Sequence, residues 1–174
     1  NISNICQVFK HNSIMDIIEA EGGEAVPADM MHFFLYCLHG DQFSAQYLDG
    51  GLKASLKSRL YIWWVEQLRN IARKALQPFP QFGTIETLSS LADKAASIVS
   101  LGHQAGEGWL LTAEMLEHIH NGAPNIICLQ PFACLPNHVV GKGVIKAIKT
   151  AYPQSDIIAV DYDPGASEVN QLNR

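Results

Sequence analysis

Cysteine is scarce in this chain and never paired by spacing. Cys6, Cys37, Cys128 and Cys134 form no Cys-x-x-Cys motif and no zinc-finger pattern, which argues against a self-contained zinc site or iron–sulfur cluster. No apolar run reaches the roughly eighteen residues needed to span a bilayer, and no signal peptide opens the sequence, so a soluble cytoplasmic protein is expected, where disulfides are disfavoured. A Gly-x-Ser-x-Gly elbow and a serine triad signature are both missing. Charge is sparse and slightly acidic, 17% of residues with a net −5, and gives no reason to expect nucleic-acid binding. There is no internal repeat, no low-complexity segment and no linker long enough to divide two domains. The chain has no initiator methionine and stops at Arg174 where a helix is under way, so a fragment of a larger protein is expected.

What is present suffices for one domain over residues 1–174, since 48% of the residues are hydrophobic and can bury a core. Residues 4–9 read as a strand, Ser13 can cap a helix carrying Ile14, Ile17 and Ile18, and Gly22-Gly23 stops that helix before a short strand at 24–27. The middle, about 29–121, reads as helical, broken by Asp49-Gly50-Gly51, by Pro78 and Pro80, and by the glycines at 102–108. The end returns to strand, helix and strand at 125–129, 140–151 and 157–161. Alternation at both ends implies an α/β fold: a small parallel sheet of about four strands, Rossmann-like or flavodoxin-like, with right-handed crossovers, helices on both faces and a large helical insertion.

Cys134 holds the most informative position. Asn125-Ile126-Ile127-Cys128-Leu129 reads as a buried strand that Pro131 ends, because proline cannot donate to a sheet ladder. Cys134 therefore falls just beyond the strand's carboxyl end, where open parallel sheets gather ligands. Pro131 and Pro136 stiffen its loop, and Gly141 and Gly143 allow a close backbone approach before a helix opens. A thiolate is favoured near that helix N-terminus, which also suits an anionic cluster or a phosphate. Three roles stay open for Cys134: a cluster ligand in the complete protein, a packed thiol, or a nucleophile. Cys6, Cys37 and Cys128 lie in apolar runs and read as small buried core residues.

Other residues give weaker signals. His138 shares the Cys134 loop and could tune or protonate a bound group, or simply bond within the loop. Gly141-Lys142-Gly143 lacks the Gly-x-x-x-x-Gly-Lys-Ser/Thr spacing and reads first as a helix-entry turn. Asp161 and Asp163 follow the apolar run Ile157-Ile158-Ala159-Val160 and could bind a cation, orient a ligand or bond loop amides. Glu107 precedes a helix at 110–121 and suits its dipole. His118 and His120 face different ways on that helix, and Glu114 with His118 lacks a third ligand and reads as a surface pair.

Charge concentrates in one helix. Between residues 53 and 74, Lys53, Lys57, Arg59, Arg69, Arg73 and Lys74 stand against Glu66 alone. The same window carries Leu56, Leu60, Trp63, Trp64, Leu68, Ile71 and Ala75 at three- and four-residue steps, the pattern of a long amphipathic helix. Its apolar residues are expected in the core and its basic face in solvent; the sharper reading is a dock for an acidic partner or the phosphates of coenzyme A.

Four blocks, DIIEAEGGEAV (16–26), GEGWLLTAEMLEHI (106–119), QPFACLPNHVVGKGVIKAIK (130–149) and DIIAVDYDPGASEVNQLNR (156–174), carry a resemblance to the 2-hydroxyacyl-CoA dehydratase D-component-like proteins. The likeness is to the carboxyl-terminal region of acyl-CoA dehydratase activase-related proteins. It implies an oxygen-sensitive, anaerobic system in which ATP-driven electron transfer reaches iron–sulfur clusters and enables reductive or lyase chemistry on acyl-CoA thioesters. On that resemblance Cys134 is a metal ligand, of a 4Fe-4S cluster, and Glu107, Asn137 and His138 lie near cluster or substrate. One cysteine cannot hold a cubane, so the other ligands must come from further domains or another subunit, and the fragment alone is expected to bind no metal and catalyse nothing. The other function class is a non-catalytic α/β interaction module that docks partners through its basic helix.

Overall fold

In the computed structural model, residues 14–48, 51–79, 84–131 and 133–162 are described. They form a mixed α/β structure, mostly helical, with a two-stranded parallel sheet. The first helix, α1 (Ile14–Ala20), ends where Gly22 takes φ +84° and the Gly23 N–H donates to the Ile18 carbonyl at 2.8 Å. Glycine supplies that left-handed turn without a Cβ penalty. Residues 24–27 then run as irregular backbone. The short strand expected there is absent: the segment is largely exposed, and no burial repays pairing it. The strand expected at 4–9 and the Ser13 cap lie outside the described residues.

The helical middle is as expected. Asp29 caps α2 (Met30–Tyr47) by accepting from the Met31 N–H at 2.9 Å, and Thr87 caps α4 (Leu88–Ala96) from its hydroxyl to the Ser90 N–H, each satisfying an amide the helix leaves orphaned. Between them runs α3 (Leu52–Leu76), packed on α2. The fifth helix, α5 (Trp109–His120), is central: nearly every side chain from Trp109 to Ile119 is buried. One of its sides packs with Leu35, Tyr36, Leu88, Leu91 and Ala95, and the other with Val144, Ile148 and Ile157. A helix apolar all round belongs between two layers, and α5 joins the helical insertion to the sheet.

The sheet pairs β1 (Asn125–Pro131) with β2 (Asp156–Tyr162) in parallel, Gln130 opposite Asp161. Between them α6 (Ile145–Ala151) makes the crossover. Because side chains alternate, Ile126, Cys128 and Gln130 share one face with Ile157, Ala159 and Asp161, and α5 and α6 cover that face. On the opposite face Ile158 is 51% exposed, so helices on both faces do not occur at that point of the described sheet.

Helix α3 inverts the packing expected of it. Trp63 and Trp64 are 59% and 55% exposed, and Leu56, Leu60, Leu68 and Ile71 are exposed with them, while Ser58 and Arg69 are buried. The cause is a charged network that needs the helix's polar side. Arg69 donates to Asp29 at 2.9 Å, to Glu66 at 3.1 Å and to the His32 Nε2 at 2.7 Å. Arg73 donates to the Ile85 carbonyl at 2.7 Å. A guanidinium cannot accept, so His32 Nε2 is the acceptor there. The Glu86 carbonyl lies 3.3 Å from the same Nε2, and Nδ1 faces Glu117 Oε2 at 3.6 Å. The apolar stripe thus lies in solvent and part of the basic side lies inside, the reverse of the amphipathic expectation.

Candidate functional site at the carboxyl edge of the sheet

The chain leaves β1 in a tight path. Cys134 N–H donates to the Pro131 carbonyl at 3.1 Å, and the Cys134 carbonyl accepts from the His138 N–H at 3.1 Å. Ala133 sits at φ +59°, a left-handed conformation that costs a residue with a Cβ about 1 kcal/mol or more. From Asn137 to Gly141 the backbone forms a π-turn and from Lys142 to Val144 a 3-10 turn, before α6 begins. Such π-turns interrupt helices mainly at functional sites. The expected helix at 140–151 is therefore present with a wound-out entrance.

Packing holds this entrance rigid. Thr112 on α5 donates to the Val140 carbonyl at 2.8 Å, and a Cβ on Gly141 would lie 3.3 Å from Cys128 Sγ. Only glycine lets the turn approach strand and helix together. A Cβ on Gly106 would lie 3.0 Å from Pro136, so the loop carrying Glu107 abuts the loop carrying Cys134. Gly108, at φ +47°, has its missing Cβ position 2.1 Å from both the His103 carbonyl oxygen and the Tyr36 hydroxyl. That glycine admits the close approach that starts α5.

Within the edge, Asn137 Nδ2 donates to Cys134 Sγ at 3.0 Å, and Asn137 is fully buried. Cys134 is half-buried. Gln130 is also fully buried, and apart from the neighbouring Cys128 thiol its amide atoms have no partner; the Asn137 Oδ1, His138 Nδ1 and Asp161 Oδ1 atoms are likewise buried without one. Unpaired buried polar atoms cost about 1–3 kcal/mol each, so a native fold keeps them where something else completes them. Lys142 Nζ reaches Asp161 Oδ2 at 3.8 Å, tying the turn after β1 to the end of β2.

The structure thus brings Cys134, Asn137 and His138 into one loop, with Glu107 on the neighbouring loop and Asp161 on the adjacent strand. Asp163 lies outside the described residues. Burial, and less strongly the charge of Glu107, raise the Cys37 thiol; burial, then Cys37 and Glu107, push the Tyr36 hydroxyl up to about 12. The sequence does not single out Gln130, and it marks Lys142 only as part of a helix-entry turn. A polar side chain at an inward strand position beside Pro131 was the signal for Gln130.

Other cysteines and acids divide clearly. Cys128 is buried as expected, and burial pushes its thiol up to about 11. Cys37 is exposed, against the core position expected of it, because α2 turns Leu35 and Tyr36 inward instead. Glu114 and His118 are half-buried rather than a surface pair. Burial pushes the Glu114 carboxyl up to about 8 and the His118 imidazole down.

Among the described residues no three His, Cys, Asp or Glu side chains gather to hold a metal ion. The donor set fits one corner of a cluster site, a single half-buried thiol with a hydrogen-bond donor at its sulfur, and does not fit a complete one. No helix among the described residues is long and apolar enough to cross a membrane. Comparison with protein-family models, with curated proteins and with solved structures finds no match for the chain.

Proposed function

We propose that the carboxyl edge of the β1–β2 sheet is one wall of a ligand site, and that Cys134 contributes one thiolate to an iron–sulfur cluster, 4Fe-4S in kind, that other polypeptide completes. The sheet is then part of a larger Rossmann-like one. The observation that carries the reading is the set of buried, unpartnered polar atoms on Gln130, Asn137, His138 and Asp161 gathered at the same edge as that thiol. In the resembled 2-hydroxyacyl-CoA dehydratase and activase-related systems, a cluster supplies a low-potential electron for chemistry on an acyl-CoA. This chain's own contribution is positional. Asn137 orients the sulfur through its 3.0 Å bond, the Pro131–Pro136 loop and the π-turn hold it at the strand end, and Gln130 offers both a donor and an acceptor to a polar ligand. Remaining domains or a second subunit, in a cytoplasmic setting, supply the other ligands.

Anaerobic reconstitution with iron and sulfide, applied to the complete polypeptide that carries this chain, tests the reading by iron content and visible absorption. Cys134→Ala should lose the cluster signal, and Cys128→Ala, at a buried thiol pushed up to about 11, should keep it. Equal iron loading in wild type and Cys134→Ala refutes the assignment.

A further inference from the structure

The outward face of α3 has no partner within the described chain, and we propose that it is the docking site for an acidic amphipathic helix belonging to another polypeptide. Its apolar ridge runs from Leu52 to Ile71, about 28 Å at 1.5 Å per residue, through Leu56, Leu60, Trp63 and Trp64, all more than half exposed. Such a contiguous exposed ridge is unusual on a free soluble surface. Its four- and three-residue steps are those by which one helix packs its ridges into another's grooves. Midway along, Leu60, Tyr61, Trp63 and Trp64 border an open depression of about 370 Å³. Exposed tryptophans at the centre of a patch are the usual energetic anchors of an interface.

Charge decides what covers it. Helical spacing places Lys53, Lys57 and Lys74 on the ridge side, and Lys57 Nζ is held 5.7 Å from the centre of the Tyr61 ring. The helix has one carboxylate, Glu66, and it points inward to Arg69 at 3.1 Å and Arg73 at 3.5 Å. The charges on this side of α3 are therefore all cationic, with lysines set among the apolar residues. A second copy of α3 crossing antiparallel over Trp63 and Trp64 would set Lys53 against Lys74, like against like. An amphipathic helix with carboxylates along its flanks meets both requirements, apolar contact along the ridge and opposite charge at the lysines. This face is separate from the sheet edge, and the proposal stands whether or not Cys134 binds iron.

The test uses two synthetic helices with the same leucine face, one flanked by glutamates and one by lysines, together with phosphatidylserine vesicles. Binding is followed by tryptophan emission and calorimetry. The glutamate-flanked helix should bind at least about tenfold more tightly than its lysine twin, the sum expected of a few such charge pairs. Joint substitution Lys53→Glu, Lys57→Glu and Lys74→Glu should invert that preference, and Trp64→Ala should weaken binding about tenfold with the far-UV spectrum unchanged. Equal affinity for the two helices, a preference that survives charge reversal, or binding to vesicles alone overturns the proposal. So does self-association of the chain that Trp64→Ala abolishes while neither helix binds.

Discussion

Replacing Glu117 by glutamine should make the protein more stable at pH 8 and leave it nearly unchanged at pH 5. Glu117 lies in α5, 6% exposed. Burial is the main cause that pushes its carboxyl up to about 7; Glu86 and Asp29 push the same way, and Lys94 and Arg69 oppose them. In the unfolded chain the carboxyl returns to the ordinary value of 4.5. Between pH 4.5 and about 7 the native state therefore binds the extra proton, and stability falls as pH rises through that window. The loss is complete above about pH 7. The rise from 4.5 to about 7 corresponds to roughly 3 kcal/mol, and, allowing for relaxation around a partly solvated group, a gain of about 1–3 kcal/mol is expected for Glu117→Gln at pH 8. For a chain of this size that raises Tm by roughly 2–10 °C. Urea unfolding of both proteins at pH 5 and pH 8 measures it. His32, pushed down chiefly by burial and by Arg69, contributes the opposite slope below its ordinary value of 6.5. If Glu117→Gln is less stable at pH 8 than the parent, the carboxylate is a needed partner of the His32–Arg69 network and the reasoning fails.

Two further outcomes check the packing. Acrylamide should quench Trp63 and Trp64 readily and Trp109, fully buried against Tyr36, hardly at all, so a Trp63→Phe, Trp64→Phe double variant should retain only a blue, quench-resistant emission; an emission still open to quencher refutes the placement of α3. Gly141→Ala should cost about 1 kcal/mol by overpacking, because its Cβ would lie 3.3 Å from Cys128 Sγ, and Cys128→Ala should recover most of that loss in thermal unfolding. Additive losses would show that the contact is not the cause.

Cys134 and its loop illustrate what local pattern conveys. Pro131 after an apolar run, and Gly141 before an amphipathic one, announce a strand end and a helix entrance without reference to anything distant. The strand at 24–27 is absent for the opposite reason: a few apolar residues after Gly22-Gly23 satisfy a strand pattern, but only a neighbour that buries them makes pairing worthwhile, and the segment is largely exposed. In α3 the periodicity was read correctly and its direction was not. A stripe of leucines and tryptophans shows that a helix has two unlike sides; it does not show which side meets the rest of the protein.

By itself, the order of residues determined the strand at 125–129, the helical middle, the stop at Gly22 and the loop that presents Cys134, because each follows from short-range sterics and hydrogen bonding. Tertiary structure alone decided that Arg69 would be buried between Asp29, His32 and Glu66, that Trp63 and Trp64 would face outward, and that Gln130 and Asp161 would stand side by side with polar atoms unpaired. Those outcomes depend on residues 31 to 40 positions apart meeting in one interior. Burying a guanidinium without its partners costs several kcal/mol, so the side of α3 that carries Arg69 turns inward only where Asp29, His32 and Glu66 meet it.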